Sequence, residues 1–343
     1  GDERMLIASL TKIMTAIIAL EYGKLDDIVK VSPAAYGKEG SSIYLRLGEE
    51  MSLHHLLYGL MLRSGNDAAV AIAEHVGGSI EGFAFLMNQK AQELGMTNTN
   101  FTNPHGLDDP NHYSTANDLA KLTAYALKNE QFQEIVKTKV KRVPNPNDPW
   151  DYIWHNKNKM LNLYEGADGV KTGYTKAAGR GLVSSATRGG RQLVVVTLND
   201  PVDWADHAKL LDYGFEHFSL KKIVQRGMKI QAEQPAAAND RKKSADTVIA
   251  GKDFYYPLTE SEEKQITYHV QWETEGTLDY KLGLAGLLHV QLGGSNIGQI
   301  PLYRMDSPAA KRMNAAHDAF RSSSKLKQYR QIVSHVVRSL FSW

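Results

Sequence analysis

The sequence has no cysteine among its 343 residues. This absence excludes disulfide frameworks, cysteine-based zinc sites and thiol nucleophiles, and it is compatible with the cytosol or with a secreted bacterial protein. No segment approaches the about 20 consecutive apolar residues that a membrane-spanning helix needs. The net charge is only +2, so no nucleic-acid partner is expected. The 12 histidines show no paired spacing of the H-E-x-x-H kind, and we expect neither a metal nor another cofactor.

The pattern of apolar residues divides the chain into three regions. Residues 1–218 alternate helix-like and strand-like segments, as in an α/β domain. Residues 219–302 contain short alternating stretches, such as Ile266–Trp272, and predict a small all-β domain. At the start of this second region, Lys221, Lys222, Arg226 and the stretch 235–244 are typical of exposed linkers and turns.

Several elements of the first region can be predicted individually. Apolar spacing predicts a helix from Ser9 to about Gly23, and Ser52 precedes a second helical run. A third helix is predicted at about Ser79–Leu94, and residues 115–118 fit a loose capping box ahead of a fourth. The run Val194–Val196 suggests a buried strand.

The final region, residues 303–343, is basic and amphipathic. Eight Lys or Arg and two Asp lie between Arg304 and Trp343, a local charge of +6, and a helix is predicted from Pro308 onward. A basic amphipathic helix of this kind suits an anionic membrane surface. The alternative interpretation is a helix that docks on the protein itself or on a partner helix.

Ser9-Leu10-Thr11-Lys12 is a candidate nucleophile motif. Residues three apart on a helix share a face, so the Ser9 hydroxyl and the Lys12 amine can meet. A serine becomes a good nucleophile when a neighbouring base takes its proton, and a lysine acts as that base only when it is neutral. The spacing is weak by itself, because it recurs at four serines in polar or terminal stretches, which are Ser219, Ser261, Ser322 and Ser324.

Two further tripeptides each occur once in the chain. Ser64-Gly65-Asn66 lies between two predicted helices, where the serine can pass a proton and the asparagine amide can donate and accept hydrogen bonds. Lys171-Thr172-Gly173 precedes a strand, and its glycine would let a substrate backbone lie close against the chain. Each tripeptide by itself is more typical of an ordinary turn.

The order of the three motifs is more specific than any one of them. Ser64 follows Ser9 by 55 positions, and Lys171 follows Ser64 by 107. A closely similar set occurs in penicillin-binding proteins and class A β-lactamases. The chain resembles the low-molecular-mass penicillin-binding proteins of the D-alanyl-D-alanine carboxypeptidase family, the penicillin-binding protein 5 type. The resemblance is close over residues 1–218 and extends to these segments: 8–16, 103–107, 112–116 and 168–175.

This resemblance implies a fold. The expected architecture is a serine β-lactamase/transpeptidase-like catalytic domain, an antiparallel sheet with helices on both sides and a helical subdomain. A small all-β domain and a C-terminal amphipathic helix would follow it. The family fold begins with a strand or hairpin ahead of the nucleophile helix, whereas eight residues precede Ser9 here, so we expect the natural chain to start further upstream.

The resemblance also implies catalytic roles. Ser9 would attack the carbonyl of the penultimate D-Ala of a peptidoglycan stem peptide and form an acyl-enzyme, and Lys12 would be the general base. Ser64 and Lys171 would relay a proton to the departing D-Ala, and Asn66 would orient Lys12 and contact the substrate. Penicillins and other β-lactam antibiotics would acylate the same serine.

Substrate binding would fall mainly to the strand that starts at Lys171. Thr172 and Thr175 would bind the terminal carboxylate, and Gly173 would allow close approach. The backbone N–H groups of Ser9 and Tyr174 would form the oxyanion hole. Some family members add an arginine after the next strand, but residues 201–206 contain none, so carboxylate binding is expected to rest mostly on the K-T-G-x-T strand.

Other functions remain possible from the sequence. A D,D-endopeptidase acting on crosslinked peptidoglycan would use the same chemistry. A class A β-lactamase would need a deacylating Glu about 35 residues past the second motif, where residues 97–110 contain only Asp108 and Asp109 as acids. A non-catalytic penicillin sensor could keep the fold. For a peptidase the expected location is extracytoplasmic, at the outer face of the bacterial cytoplasmic membrane.

Overall fold

The computed structural model describes residues 1–233, 245–308 and 310–311. The chain divides into two compact units, Gly1–Glu216 and His217–Trp343, and each is described by itself. The whole linker-like stretch 235–244 and most of the predicted terminal helix lie outside the described residues. In the described part no single helix is long and apolar enough to cross a membrane.

The first unit contains eight of the described helices and seven of the described strands. A short 3-10 helix, Ala8–Thr11, precedes them. The helices are α1 (Lys12–Tyr22), α2 (Leu53–Arg63), α3 (Asn66–Gly77), α4 (Ile80–Glu93), α5 (Ala116–Ala126), α6 (Glu130–Lys137), α7 (Met160–Leu163) and α8 (Asp203–His217). The strands are β1 (Ile28–Lys30), β2 (Glu50–Ser52), β3 (Val140–Val143), β4 (Tyr152–His155), β5 (Ala167–Thr175), β6 (Gly179–Arg188) and β7 (Arg191–Thr197).

An antiparallel sheet in the order β5-β6-β7 carries helices on both faces. Successive side chains of a strand point to opposite faces. Leu182 of β6 packs in a cluster with Leu211 of α8, whereas Val183 joins the main core around α1. The predicted burial of Val194–Val196 is wrong: these side chains are half-buried because β7 lies at an edge of the sheet.

Helix α1 forms the centre of the main core. Every residue from Lys12 to Ala19 is buried. A helix that is apolar on all sides needs neighbours all round, and side chains of α2, α3 and α5 supply them in the main cluster. This burial places the one charged residue of that run, Lys12, in a dry environment.

The predicted helix starts are confirmed by their caps. Ser52, Ser79 and Thr115 each accept a hydrogen bond from the backbone N–H three residues later. Instead of completing a capping box with Thr115, the Asp118 carboxylate accepts hydrogen bonds from Asn98 N and Thr99 Oγ1. Tertiary partners therefore compete successfully for this side chain.

The second unit is rich in β-strands. Its strands are β8 (Ser219–Val224), β9 (Lys229–Glu233), β10 (Ala245–Ala250), β11 (Phe254–Leu258), β12 (Ile266–Trp272), β13 (Leu284–Leu292) and β14 (Ser295–Arg304), with one-turn helices α9 (Glu260–Glu263) and α10 (Leu278–Lys281). One sheet has the order β12-β13-β14-β10-β9, and β8 pairs with β11.

Two interpretations of this region need correction. The basic residues Lys221 and Lys222 lie in β8 rather than in a linker, because Val224 at the end of that strand is buried in the core of the unit. On β12 the alternation of buried and exposed side chains is incomplete, since Tyr268 is exposed.

The Gly293-Gly294 turn joins β13 to β14, with φ of 55° and 83°, a backbone conformation that suits glycine.

Candidate active site

Ser9 and Lys12 meet across one turn of helix. Ser9 lies in the 3-10 helix that leads into α1, and Lys12 is the first residue of α1. The Lys12 Nζ lies 2.9 Å from Ser9 Oγ. Lys12 is fully buried, while Ser9 is half-buried and lines a cavity. The predicted contact between the Ser9 hydroxyl and the Lys12 amine is therefore present.

The other partners of Lys12 determine which way its lone pair points. Its Nζ lies 2.7 Å from Asn66 Oδ1 and 2.6 Å from the His105 carbonyl oxygen. The Asn66 amide nitrogen donates to the Glu39 carbonyl, which fixes the amide orientation. Both oxygens can only accept, so a neutral Lys12 donates its two hydrogens to them. The lone pair then faces the Ser9 hydroxyl, the arrangement that a general base requires.

A second lysine–serine pair lies beside the first. Ser64 ends α2 in a left-handed conformation, with φ of 65°, and so turns the chain into α3. The Lys171 Nζ, from β5, donates to Ser64 Oγ at 3.1 Å and to the Thr172 carbonyl at 2.8 Å. Ser64 and Lys171 are both buried, and Ser64 reaches the cavity wall.

Burial and nearby positive charges lower the pKa of both lysines. Desolvation is the main cause for Lys12, whose pKa falls well below its ordinary value, and the charges of Lys171 and Lys157 lower it further. Desolvation, with a contribution from Lys157, lowers the pKa of Lys171 to about 7. A lysine with such a pKa can both accept and donate a proton at neutral pH.

The cavity next to Ser9 has a volume of about 310 Å³. It is lined by residues of all three motifs, among them Ser9, Ser64, Thr172, Gly173 and Tyr174. The sequence did not identify the rest of the lining, which consists of Ser41, Lys157, Arg180, Gly181, Asp203 and Trp204. Within the described ranges, no three His, Asp or Glu side chains are grouped so as to hold a metal ion.

The loop 103–107 holds the second acceptor of Lys12. The Thr15 hydroxyl of α1 donates to the Pro104 carbonyl at 2.6 Å, which ties the loop to the nucleophile helix. Gly106 has φ of 85°, and a Cβ there would lie 1.8 Å from the Ala8 carbonyl oxygen. A glycine is therefore required for the loop to bring the His105 carbonyl to Lys12.

These features agree with what the chain resembles in known proteins. A family model described as D-alanyl-D-alanine carboxypeptidase matches residues 1–202. The chain belongs to the D-alanyl-D-alanine carboxypeptidase family. The D-alanyl-D-alanine carboxypeptidase DacF of Bacillus subtilis is 38% identical over 238 residues, which cover 67% of this chain but only 61% of that enzyme. DacC of Escherichia coli is 33% identical over 332 residues, 90% of this chain and 79% of that enzyme.

A solved structure supports the same family assignment. Penicillin-binding protein 5 from Haemophilus influenzae is 30% identical, and the similarity covers 89% of this chain and 91% of that one, with a TM-score of 0.69. The sheet with helices on both faces in this D-alanyl-D-alanine carboxypeptidase family member is therefore the predicted transpeptidase-like fold.

One charged cavity residue of this family member was not identified from the sequence. The sequence offered no arginine in residues 201–206, but Arg180, from β6, lines the cavity. Its guanidinium donates to both carboxylate oxygens of Asp203, at 2.7 and 2.9 Å. The arginine escaped notice because it reaches the site from the strand next to β5, a neighbour defined by sheet pairing rather than by sequence distance.

Thr175 differs from its expected position. Its hydroxyl donates to Asp108 Oδ1 at 2.7 Å, and Thr175 is not among the residues that line the cavity. The hydroxyl also accepts a hydrogen bond from the Ala178 N–H, so it stabilises the turn after β5. Thr172 is the threonine of this strand that faces the cavity.

Proposed function

We propose that this protein is a serine D-alanyl-D-alanine carboxypeptidase that removes the terminal D-Ala from peptidoglycan stem peptides. The observation that carries the proposal is the buried amine of Lys12, held by two fixed acceptors with its third position 2.9 Å from Ser9 Oγ. The names of the relatives and the match of the family model to residues 1–202 support the substrate class.

In the proposed first step, Ser9 Oγ attacks the carbonyl carbon of the penultimate D-Ala while its proton passes to neutral Lys12. The negative charge that develops on the carbonyl oxygen is stabilised by the backbone N–H groups of Ser9 and Tyr174. Ser9 and Tyr174 both line the cavity, which supports this assignment.

Collapse of the tetrahedral intermediate breaks the peptide bond and leaves an ester on Ser9. The departing D-Ala nitrogen takes a proton from the Ser64 hydroxyl, which is replaced by a proton from Lys171. The proton that Lys12 took from Ser9 then passes to Lys171, so that Lys171 is protonated and Lys12 is neutral again. Water then attacks the ester carbonyl with Lys12 as its base, which releases the shortened peptide and restores Ser9. The Lys171 pKa of about 7 suits this relay, because the proton can move in either direction near neutral pH.

The proposed carboxylate subsite is formed by the Thr172 hydroxyl, the positive charge of Lys171 behind it and the Arg180 guanidinium. Arg180 pairs with buried Asp203, so it is oriented before a substrate binds. Gly173 lets β5 pack closely against the nucleophile turn rather than making room for the substrate, since a Cβ there would lie 3.1 Å from the Ile7 carbonyl oxygen and 3.2 Å from Leu10 Cγ.

The decisive experiment treats the protein with a penicillin and maps the adduct by mass spectrometry. We expect the adduct on the peptide that contains Ser9 and none in Ser9→Ala, which should also release no D-Ala from a pentapeptide. An adduct elsewhere, or full D-Ala release by Ser9→Ala, would contradict the proposal. Incubation with a crosslinked dimer tests the endopeptidase alternative, and rapid turnover of nitrocefin would indicate a β-lactamase.

We also propose that the protein works at the outer face of the cytoplasmic membrane, where residues 303–343 attach it to the lipid surface. The local charge of +6 and the apolar stripe of this segment support attachment to anionic lipid. Deletion of residues 308–343 should abolish sedimentation with anionic liposomes and leave D-Ala release unchanged. Equal sedimentation of both proteins would refute the attachment.

The domain organisation belongs to the same proposal: a catalytic domain over residues 1–218, a β-rich domain over 219–302 and the terminal segment. The strands β8 to β14 support a separate second domain, because they have a hydrophobic core of their own around Val248, Leu288 and Ile300. Expression of residues 1–218 alone should give a folded protein that still forms the penicillin adduct. Failure of this fragment to fold would contradict an independent catalytic domain.

A further inference from the structure

A chain of buried hydrogen bonds ends on the peptide group that precedes the nucleophile. The Thr11 hydroxyl donates to the Ala8 carbonyl oxygen at 2.8 Å. That carbonyl shares a planar trans peptide group with the Ser9 N–H, so the two point in opposite directions. Any contact that fixes the direction of the Ala8 carbonyl therefore also fixes the direction of the Ser9 N–H, one of the two proposed oxyanion donors.

His112 holds the Thr11 hydroxyl in its donating orientation. Its Nε2 lies 2.7 Å from Thr11 Oγ1, and its Nδ1 accepts a hydrogen bond from the Thr102 backbone N–H at 3.1 Å. Because that backbone group can only donate, Nδ1 carries no hydrogen and Nε2 does. The Nε2–H must donate to Thr11 Oγ1, which leaves the single Thr11 hydrogen for the Ala8 carbonyl.

The backbone at Ala8 requires such support. Ala8 has φ of 47°, a left-handed conformation that a residue with a Cβ adopts only at a cost of about 1–2 kcal/mol. Thr11 and His112 are fully or almost fully buried, so water does not compete for these hydrogen bonds. Gly106 packs closely against the same carbonyl, since a Cβ there would lie 1.8 Å from the Ala8 oxygen.

We propose that His112 and Thr11 are positioning residues that orient and polarise the Ser9 N–H of the oxyanion hole. Acceptance of a hydrogen bond by the Ala8 carbonyl also makes the N–H of the same peptide group a stronger donor. The inference rests on the proposed acyl-transfer function, and it assigns a role to a histidine that takes no part in the proton transfers.

The central test compares Thr11→Val, which removes the hydroxyl and keeps the shape, with Thr11→Ser, which keeps the hydroxyl. The acylation rate constant for a penicillin should fall about 10- to 100-fold in Thr11→Val, less than the about 100- to 1000-fold loss when an oxyanion donor is removed outright. The dissociation constant of the non-covalent penicillin complex should stay within about 2-fold of wild type, and Thr11→Ser should restore most of the rate.

A transition-state analogue separates positioning from general damage. A peptide boronic acid forms a tetrahedral adduct with a serine, and one of its oxygens occupies the oxyanion hole. Its affinity should fall in Thr11→Val by about the same factor as the acylation rate. A matched control is Thr123→Val, since that buried threonine donates to the Leu119 carbonyl within α5. The control should leave both quantities unchanged.

The histidine is tested by His112→Leu and by the double variant with Thr11→Val. If the two residues act through one chain, the double variant loses no more activity than Thr11→Val alone. His112→Leu also keeps the test possible if Thr11→Val does not fold. An unchanged acylation rate in both folded variants, additive losses, or a loss confined to non-covalent binding would overturn the inference. A wild-type protein that forms no adduct on Ser9 would instead overturn the proposed function and the inference together.

Discussion

Replacement of Lys171 by methionine should make the protein more stable near neutral pH while it abolishes activity. The side chain is fully buried, and desolvation lowers its pKa from 10.5 to about 7. Methionine has a similar volume and no charge, so it keeps the packing and removes the ionisable group. The proposed relay to the leaving group would be lost at the same time, because Ser64 loses its hydrogen-bond partner.

The magnitude follows from proton linkage. Between about pH 7 and 10.5 the unfolded chain binds a proton at Lys171 that the folded protein has released, so the contribution of this residue to stability rises with pH. The difference between pKa values of 10.5 and about 7 corresponds to about 4–5 kcal/mol at pH 7. Two lost hydrogen bonds subtract about 1 kcal/mol each. We expect Lys171→Met to be stabilised by about 2 kcal/mol at pH 7.

The same reasoning predicts that the difference in stability between Lys171→Met and wild type changes sign as the pH rises. Near pH 10 most of the linkage contribution has gone, while the lost hydrogen bonds remain, so the variant should be less stable than wild type by about 1 kcal/mol. Urea unfolding followed by intrinsic fluorescence at both pH values measures this crossover. The exposed Lys176→Met serves as a control and should show no crossover. A Lys171→Met protein that is destabilised equally at both pH values would refute the reasoning.

Three further changes test other parts of the site. Arg180→Gln should reduce the preference for a peptide with a free C-terminal carboxylate over its C-terminal amide by about 10-fold, and an unchanged ratio of kcat/KM for the two peptides would exclude Arg180 from carboxylate recognition. Gly106→Ala should lose about 3 kcal/mol of unfolding free energy, because its Cβ would clash with the Ala8 carbonyl oxygen; a loss below about 0.5 kcal/mol would contradict the assigned contact. Asp67→Asn should cost about 3 kcal/mol in urea unfolding, since the carboxylate accepts backbone N–H bonds from residues 43 and 45; equal stability would show that these bonds are dispensable.

Local signals were sufficient for the three motifs and for four of the helices, which are α1, α2, α4 and α5. Helix starts could be predicted because a serine or threonine cap acts on backbone groups only three residues away. Tyr268 and the run Val194–Val196 were less predictable, because the burial of a strand residue depends on which strands and helices cover it. Pairing of β8 with β11 likewise could not be read from the basic composition of residues 219–226.

The amino-acid sequence by itself determined which side chains carry the chemistry: Ser9 and Lys12 are one helical turn apart, and their hydrogen bond follows from that spacing. The tertiary structure lowered the pKa of Lys12, because burial and the approach of Lys171 from a distant strand both disfavour its charged form. The tertiary structure also decided the direction of the Lys12 lone pair, because that direction depends on the His105 backbone carbonyl, which no side-chain motif could reveal. Local geometry can be read from spacing, whereas desolvation and long-range charge exist only once distant segments are packed together.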